Sequence, residues 1–540
     1  MRLRDRVLEV RRALELAWTV ARFGTRMVAG RFLPLRGPGL PVQIREALED
    51  LGLTYLKLGQ YLAMRFDILP PEVCRELGRL FDEVAPLPAE VARSIVEEEL
   101  GAPIDERFAR FESEPLAAAS VAQVHRAWTR DGDAVAVKVQ RPGIERVFSA
   151  DIRIMRRLTR LADALHLLGR LSATEMLEQF ANWTIREIDF EQEGRTAELV
   201  ARNAERYEIE PSVHWDLTTS RVLTLEFIDG HSLARIIRVI EQDGAEGAAR
   251  EYPWLDVDLV LHHLTFATLR QVFVTGLFHG DPHPGNVLVL EDNRIAFVDF
   301  GIFGELAGFD RDTLGAQIEQ LAIGNIDESL RAYERQLAST AESDVRAFRT
   351  EAREVLTRWY QLSLRSDSPI AERHLGRYIG EMIDISRRYR LLYDMSFLLY
   401  WRTLNALDST ALRMSPTYDL MEELRRFFEE IRPDLIERVM GVAMDRRGWA
   451  RVRGIGQEAP DRVAALIGEA ARGSLVGTVF AGERTSARRA RHAETRWLGA
   501  AVAGVALIVV AGSGAHTAGL LAVATGLLLT AATLRGLAPR

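Results

Sequence analysis

The stretch that most constrains this chain is residues 279–301, where side chains suited to metal and phosphate follow one another at fixed spacing. Asp281 is followed five positions later by Asn286, and an Asp-Phe-Gly triplet begins at Asp299 after one short hairpin. Phosphoryl transfer needs a carboxylate that orients the attacking hydroxyl, and an amide oxygen and a second carboxylate that hold Mg²⁺ against the phosphates. We therefore assign Asp281 to catalysis and Asn286 and Asp299 to the metal. The simpler alternative is a loop in which these side chains only cap turns.

A second group of residues predicts the nucleotide side of this site. Residues 134–139 read Ala-Val-Ala-Val-Lys-Val and alternate as a strand. Lys138 stands where a strand lysine contacts the α- and β-phosphates of ATP, and we also count it as catalytic. The preceding loop is alanine-rich instead of glycine-rich, and alanine resists the positive φ angles that glycine adopts. The loop residues expected to bind the nucleotide are Ala117, Ala118, Ala119, Ser120 and Val121.

Two further segments complete the predicted nucleotide site. An acidic run lies in the helical region 150–205, and from it we choose Glu193 as the carboxylate that holds Lys138. A solvated helix face is the simpler explanation of such a run. Residues 221–228 read as a strand ending in a turn, a place where backbone groups can meet adenine, so Glu226 and Ile228 are predicted to bind nucleotide.

A long helix is predicted at residues 42–68, ended by two prolines. Lys57 and Gln60 are three residues apart and share one face, and Gly59 between them allows close approach. This face suits an aimed polar contact. Taken alone, it is more often an exposed lysine and an exposed glutamine.

Both ends of the chain carry features typical of membrane contact. Residues 3–35 form a basic amphipathic pattern that fits an anionic membrane surface or packing on the rest of the protein equally well. Residues 498–512 and 518–534 are apolar runs, with no Asp, Glu, Lys or Arg between Trp497 and Arg535. They predict a transmembrane hairpin with cytoplasmic ends, the alternative being a buried soluble hairpin.

Composition argues against several kinds of site. The net charge of −8 argues against a dedicated nucleic-acid binder. The single cysteine, Cys74, permits neither an intrachain disulfide nor a metal site built from cysteines.

With these motifs in order, the chain resembles the UbiB family of atypical protein-kinase-like proteins of ubiquinone and other isoprenoid-quinone biosynthesis. The resemblance covers roughly residues 40–400 and includes a Glu-x-Asp pair at Glu187 and Asp189. It implies that the helix carrying Lys57 folds over the cleft where a protein substrate would dock, and that Lys57 contacts Glu187 or Asp189. The residues given a regulatory role on this basis are Lys57, Gly59, Gln60, Glu187 and Asp189.

The resemblance also implies an α+β, two-lobed protein-kinase-like fold that is mostly helical. The predicted parts are a basic amphipathic segment (1–40), a helical extension (41–103), an N-lobe (104–230), a helical C-lobe (231–480), a basic linker (481–496) and two transmembrane helices (497–535). The expected cofactors are ATP or ADP and Mg²⁺. The expected partners are membrane lipids or quinone precursors, other quinone-biosynthesis enzymes and a second copy in a homodimer, with no nucleic acid. The expected location is a bacterial-type cytoplasmic membrane with the kinase-like domain in the cytoplasm.

Three functions remain open from the sequence. The first is a membrane-associated ATPase or atypical kinase supporting isoprenoid-quinone synthesis. The second is a small-molecule kinase of the aminoglycoside or choline kinase type, against which the Lys57 helix, the alanine loop and the apolar tail speak. The third is a nucleotide-binding lipid scaffold without turnover.

Overall fold

The computed structural model describes residues 3–431, except 33–38, 66–67, 81–85, 166–171, 307, 340–342, 366–368, 370–371, 373 and 394. The described part of one compact unit ends at Glu423, and a second unit begins at Leu424. The predicted basic linker and transmembrane hairpin lie outside the described residues. Within the described ranges, no helix is long and apolar enough to cross a membrane.

The described residues form a mostly helical α+β fold, as predicted. The helices are α1 (Leu3–Phe32), α2 (Leu40–Leu51), α3 (Leu53–Ala63), α4 (Pro71–Leu77), α5 (Ala89–Leu100), α6 (Ile104–Arg107), α7 (Ile144–Ala164), α8 (Ala173–Ile188), α9 (Phe190–Ala201), α10 (Leu233–Glu251), α11 (Val257–Arg270), α12 (Gly308–Ala322), α13 (Ile326–Glu334), α14 (Val345–Ser363), α15 (Leu375–Arg388) and α16 (Met395–Met414). The strands are β1 (Phe108–Ala118), β2 (Ala122–Thr129), β3 (Ala134–Gln140), β4 (Glu208–Ile209), β5 (Val222–Glu226), β6 (His231–Ser232), β7 (Leu277–His279), β8 (Val287–Val289), β9 (Ile295–Phe297), β10 (Phe303–Glu305), β11 (Leu337–Ala338) and β12 (Leu392–Tyr393).

The first sheet has the order β1-β2-β3-β5, and every neighbouring pair is antiparallel. Val135, Val137 and Val139 on β3 are fully buried in a core that includes α5. Because side chains alternate along a strand, Lys138 lies on the opposite face of β3 from these valines. The apolar alternation therefore fixes which way the lysine points.

The second sheet has the order β4-β9-β8-β6 and supports the loops of the predicted catalytic stretch. β8 and β9 form an antiparallel hairpin, while β7 pairs with β10 through His279 and Phe303. The loop before β8 and the loop after β9 are thereby brought side by side. β4 lies within the segment predicted as the N-lobe, yet it pairs with β9.

The predicted helix at 42–68 is two helices. Gly52 separates α2 from α3 with a φ of 84°, a conformation that favours glycine, and α3 ends at Ala63. Helical periodicity continues through this point, so the break could not be read from the apolar pattern. The single predicted helix is wrong in this respect.

The two faces of helix α1 differ in burial. One face packs on α2 and α7: Leu16 is buried, and Arg12 forms an ion pair of 2.8 Å with the buried Asp151. The opposite face leaves four large apolar side chains exposed. These are Val7, Val10, Leu14 and Trp18.

Candidate functional site

Lys138, Glu193 and Asp299 meet in one cluster between the two sheets. The Nζ atom of Lys138 donates to Glu193 Oε1 at 2.6 Å and to Asp299 Oδ1 at 3.1 Å. Glu193 Oε1 also accepts from the backbone N–H of Phe300 at 3.3 Å. The structure thus brings together the three residues predicted from the sequence: the lysine of β3, the glutamate of α9 and the aspartate of the Asp-Phe-Gly triplet. Glu193 links Lys138 to the loop that contains Asp299 and Phe300.

Burial and mutual charge set the protonation of this cluster. Burial lowers the pKa of Lys138, but the carboxylates of Asp299 and Glu193 outweigh it and hold the pKa above its usual value. Burial raises the pKa of Glu193 to about 7, only partly opposed by the charge of Lys138. Asp299 is only partly buried; this burial would raise its pKa, but Lys138 and His279 outweigh it, so the pKa lies below the usual range. Asp299 therefore stays ionised at neutral pH, as a metal ligand must.

The loop after β7 holds Asp281 and Asn286 close to each other. Asn286 Nδ2 donates to the backbone oxygen of Asp281 at 3.2 Å. The backbone N–H of Val298, one residue before Asp299, donates to the backbone oxygen of Asn286 at 3.1 Å. The buried His279 supports the loop by accepting from the Asp281 N–H through Nδ1 at 3.1 Å. The two predicted metal ligands are consequently on hydrogen-bonded segments.

This donor set fits Mg²⁺ supplied with a nucleotide. Mg²⁺ is commonly bound by one or two carboxylates together with substrate phosphates. Asp299 gives a carboxylate that is 40% exposed, and Asn286 gives an amide oxygen. In the described part of the chain there is no group of three His, Cys, Asp or Glu residues that could hold a metal without such phosphates.

The alanine loop is a tight turn between β1 and β2. The Ala119 N–H donates to the Ala122 oxygen at 2.7 Å, and Arg141 Nε donates to the Ala119 oxygen at 2.8 Å. Ser120 and Val121 are buried. Among the described residues, the only non-glycine residues with positive φ are Asn293 and Arg390, so the loop keeps ordinary backbone angles. Ala117 and Ala118 still belong to β1, paired with Val124 and Gln123.

The predicted adenine-binding strand is shorter than expected: β5 ends at Glu226, two residues before the predicted end at Ile228. The side chain of Glu226 accepts from the Ser212 hydroxyl at 2.9 Å, and the Phe227 N–H donates to the Ala134 oxygen at 3.0 Å. These bonds fix the turn to the first sheet. The role of Glu226 and Ile228 in binding adenine stays a prediction.

Lys57 on α3 reaches the end of α8. Its Nζ atom is 2.5 Å from Glu187 Oε1, and the lysine is 3% exposed. A Cβ placed on Gly301 would lie 3.6 Å from Glu187 Cγ, so this ion pair is next to the Asp-Phe-Gly loop. Asp189 instead caps α9, where its side chain accepts from the Glu191 N–H at 3.2 Å.

Gly59 and Gln60 anchor the same helix to the segment that follows α4. A Cβ on Gly59 would lie 2.2 Å from Leu80 Cδ1 and 3.0 Å from Leu48 Cδ1. Gln60 Nε2 donates to the Leu80 oxygen at 3.3 Å. The glycine is needed for close packing, while the glutamine makes a backbone contact.

Sequence reasoning missed one residue of this site, Arg402 on α16. Its Nη2 atom is 2.8 Å from Asp281 Oδ2. The two residues are far apart in the chain, and Arg402 follows two aromatic residues that read as helix core. No spacing pattern connects it to the catalytic stretch.

Comparison with known proteins identifies the family. The model of the ABC1 atypical kinase-like domain matches residues 79–332, which include Lys138, Glu193, Asp281 and Asp299. Over 395 residues the chain is 30% identical to a probable protein kinase UbiB of Marinobacter nauticus, covering 72% of this chain and 69% of that protein. The chain belongs to the UbiB family of ABC1 atypical kinase-like proteins.

Other relatives of this UbiB-family chain match a shorter part. An uncharacterized protein of Synechocystis is 36% identical over 296 residues, which is 54% of this chain and 42% of that protein. An uncharacterized protein of Mycobacterium tuberculosis is 37% identical over 315 residues, 56% of this chain and 62% of that protein. The chain thus spans less than two thirds of the length of these two relatives. Lys57 and Arg402 lie outside the matched ABC1 domain.

Proposed function

We propose that this protein is a membrane-associated, kinase-like ATPase that supports isoprenoid-quinone biosynthesis. The observation that carries the proposal is the meeting of Lys138, Glu193 and Asp299 beside the buried Lys57–Glu187 ion pair. The first three residues are the groups that Mg-ATP requires. The ion pair belongs to a helix that ordinary kinases do not have in this place, and it favours hydrolysis over phosphorylation of proteins.

In this mechanism each residue has one role. Lys138, held by Glu193, binds the α- and β-phosphates, and Asp281 orients a water molecule or an acceptor hydroxyl. Asp299 and Asn286 would hold Mg²⁺, which neutralises charge on the phosphates. Preorganised charge of this kind supplies most of the rate in many enzymes.

The exposed face of α1 supports the membrane part of the proposal. Val7, Val10, Leu14 and Trp18 stand exposed along one side of the helix. Arg6, Arg11 and Arg22, which are also exposed, flank them. An apolar stripe bordered by arginines fits the headgroup region of an anionic bilayer.

The test is Mg²⁺-dependent phosphate release with and without anionic vesicles. We expect release by the wild type, stimulation by vesicles and loss of release in Asp299→Asn. Asp292→Asn is the matched control, because Asp292 lies in the neighbouring hairpin and pairs with its neighbour Arg294 at the surface. Equal release by wild type and Asp299→Asn would contradict the catalytic assignment.

A gene deletion separates this proposal from a soluble small-molecule kinase. Loss of the quinone with accumulation of an early precursor in extracted lipids is expected. An unchanged quinone content would favour the small-molecule kinase.

A further inference from the structure

Asp281, the proposed catalytic aspartate, is paired with an arginine that belongs to none of the sequence motifs. Arg402 Nη2 lies 2.8 Å from Asp281 Oδ2, and the two side chains are 31% and 30% exposed. We propose that Arg402 is a positioning residue that holds the Asp281 carboxylate in the orientation required to align the nucleophile. This inference rests on the proposed function and deepens it.

Helix α16 is built to carry such a residue. Thr403, next to Arg402 and completely buried, donates through Oγ1 to the His279 oxygen at 2.8 Å. Leu399, one turn earlier, lies 3.5 Å from where a Cβ on Gly280 would stand. The helix therefore contacts the catalytic loop at three positions on one face, and a rigid element places a side chain more accurately than a loop does.

The catalytic loop itself offers no cation for this role. The residues between Asp281 and Asn286 are Pro282, His283, Pro284 and Gly285. His283 is exposed, and its Nδ1 atom accepts from the Gly285 N–H at 3.1 Å, so that nitrogen is engaged in the local turn. The positive charge beside Asp281 is consequently supplied by a distant helix.

Arg402 also contacts the extension that carries Lys57. Its Nη1 atom donates to Met64 Sδ at 3.1 Å, and Met64 is the residue that directly follows α3. One guanidinium thus touches the catalytic carboxylate and the end of the α3 helix. A displacement of α3 would therefore move Arg402, and through it the carboxylate of Asp281.

A restraining role is the opposite possibility. If Arg402 sequestered Asp281, its removal would raise turnover. Against this, Asp281 keeps 30% of its side chain exposed. The arrangement orients the carboxylate without covering it.

The experiment measures Mg²⁺-dependent phosphate release by wild type, Arg402→Met, Arg402→Lys, Asp281→Asn and the double variant Asp281→Asn/Arg402→Met. Arg402→Met is expected to lower kcat by about 10- to 100-fold with little change in KM for Mg-ATP, since alignment and not binding is lost. Arg402→Lys should recover most of kcat. The double variant should be about as slow as Asp281→Asn alone, because the two residues act as a unit.

Arg413→Met is the matched control on the same helix. Arg413 pairs with Glu241 at the surface, at 2.7 Å, and its loss should leave kcat unchanged. If Arg402→Met does not fold, Arg402→Gln replaces it, with the same expected loss.

Several results would overturn the inference. They are an Arg402→Met kcat equal to or above that of the wild type, a change in KM alone, and Arg402→Lys as slow as Arg402→Met. A wild type that releases no phosphate would instead contradict the proposed function, and with it the reaction that Arg402 is inferred to serve.

Discussion

Glu193 is the residue on which the geometry of the proposed nucleotide site depends most. Its Oε1 atom receives both the ammonium of Lys138 and the backbone N–H of Phe300. Without it, the remaining carboxylate partner of Lys138 among the described residues would be Asp299, 3.1 Å away, which is also the predicted metal ligand. Breaking a buried ion pair typically costs about 3–5 kcal/mol, so the same change would also weaken the fold.

A second buried carboxylate, Glu208, predicts a pH dependence of stability. Burial raises its pKa to about 7, opposed by the Glu205 N–H and Arg270. Between the ordinary glutamate value and pH 7 the folded state keeps a proton that the unfolded state releases. Stability from this group is therefore present at low pH and lost as the pH rises through 7, by about 3 kcal/mol at most.

Glu208→Gln removes this titration. We expect its thermal midpoint to exceed that of the wild type at pH 8 and to match it near pH 4, measured by circular dichroism. Glu291→Gln, at an exposed position, serves as the control. An equal difference between Glu208→Gln and wild type at both pH values would contradict the assignment.

For single residues, some contacts could be predicted from the sequence and others could not. Lys138 and Asp299 belong to fixed local sequence patterns. Those patterns imply that the two residues lie close to a glutamate such as Glu193. The Glu-x-Asp pattern groups Asp189 with Glu187, yet Asp189 caps a helix, because a turn before α9 leaves the Glu191 N–H to be satisfied. Arg402 could not be found, since only the packing of α16 brings it to Asp281.

Among the elements, the turn between β1 and β2 is the one predicted to cover the nucleotide. Its backbone is fixed by the Ala119–Ala122 hydrogen bond and by Arg141. The alanine pattern predicts a less adaptable loop. These residues have ordinary φ angles, and the stiffness itself stays a prediction. The interruption of the 42–68 helix at Gly52 was not predictable, because a single glycine also occurs inside helices.

Ala118→Gly tests the effect of this stiffness. Glycine would free the end of β1, where Ala118 pairs with Gln123, and should change the relative affinities for Mg-ATP and Mg-ADP or permit autophosphorylation. Calorimetric titration and labelling with radioactive ATP measure these effects. Ala109→Gly, exposed on the same strand, is the control.

If Ala118→Gly binds Mg-ATP and Mg-ADP as tightly as the wild type and no radioactive phosphate is incorporated into the protein, the loop does not limit nucleotide preference or autophosphorylation.

For the whole molecule, two separate segments are candidates for membrane contact. One is the exposed face of α1, and the other is the tail at 497–535, which lies outside the described residues. The fold explains why the described part of this segment, α1, fits both interpretations: one face of α1 packs on α7, and the other is exposed. Amphipathic periodicity alone cannot tell which of two faces is covered.

Deletion after Arg496 is expected to move the protein from the membrane to the soluble fraction. Leu14→Glu/Trp18→Glu in the full chain should reduce stimulation of phosphate release by anionic vesicles, because two charges would enter the headgroup region. Val91→Glu, at an exposed valine on α5, is the matched control.

Membrane retention of the deleted protein would leave α1 as the anchor. Unchanged vesicle stimulation in Leu14→Glu/Trp18→Glu would exclude the α1 face.

We propose that this cleft turns over Mg-ATP while the Lys57 helix keeps protein substrates out. The most direct measurement supplies labelled ATP, Mg²⁺ and a mixture of protein substrates, and follows released phosphate and labelled protein together. We predict phosphate release by the wild type, with protein labelling no greater than that of Asp299→Asn. Labelling of the protein substrates at a rate comparable to phosphate release would contradict this claim.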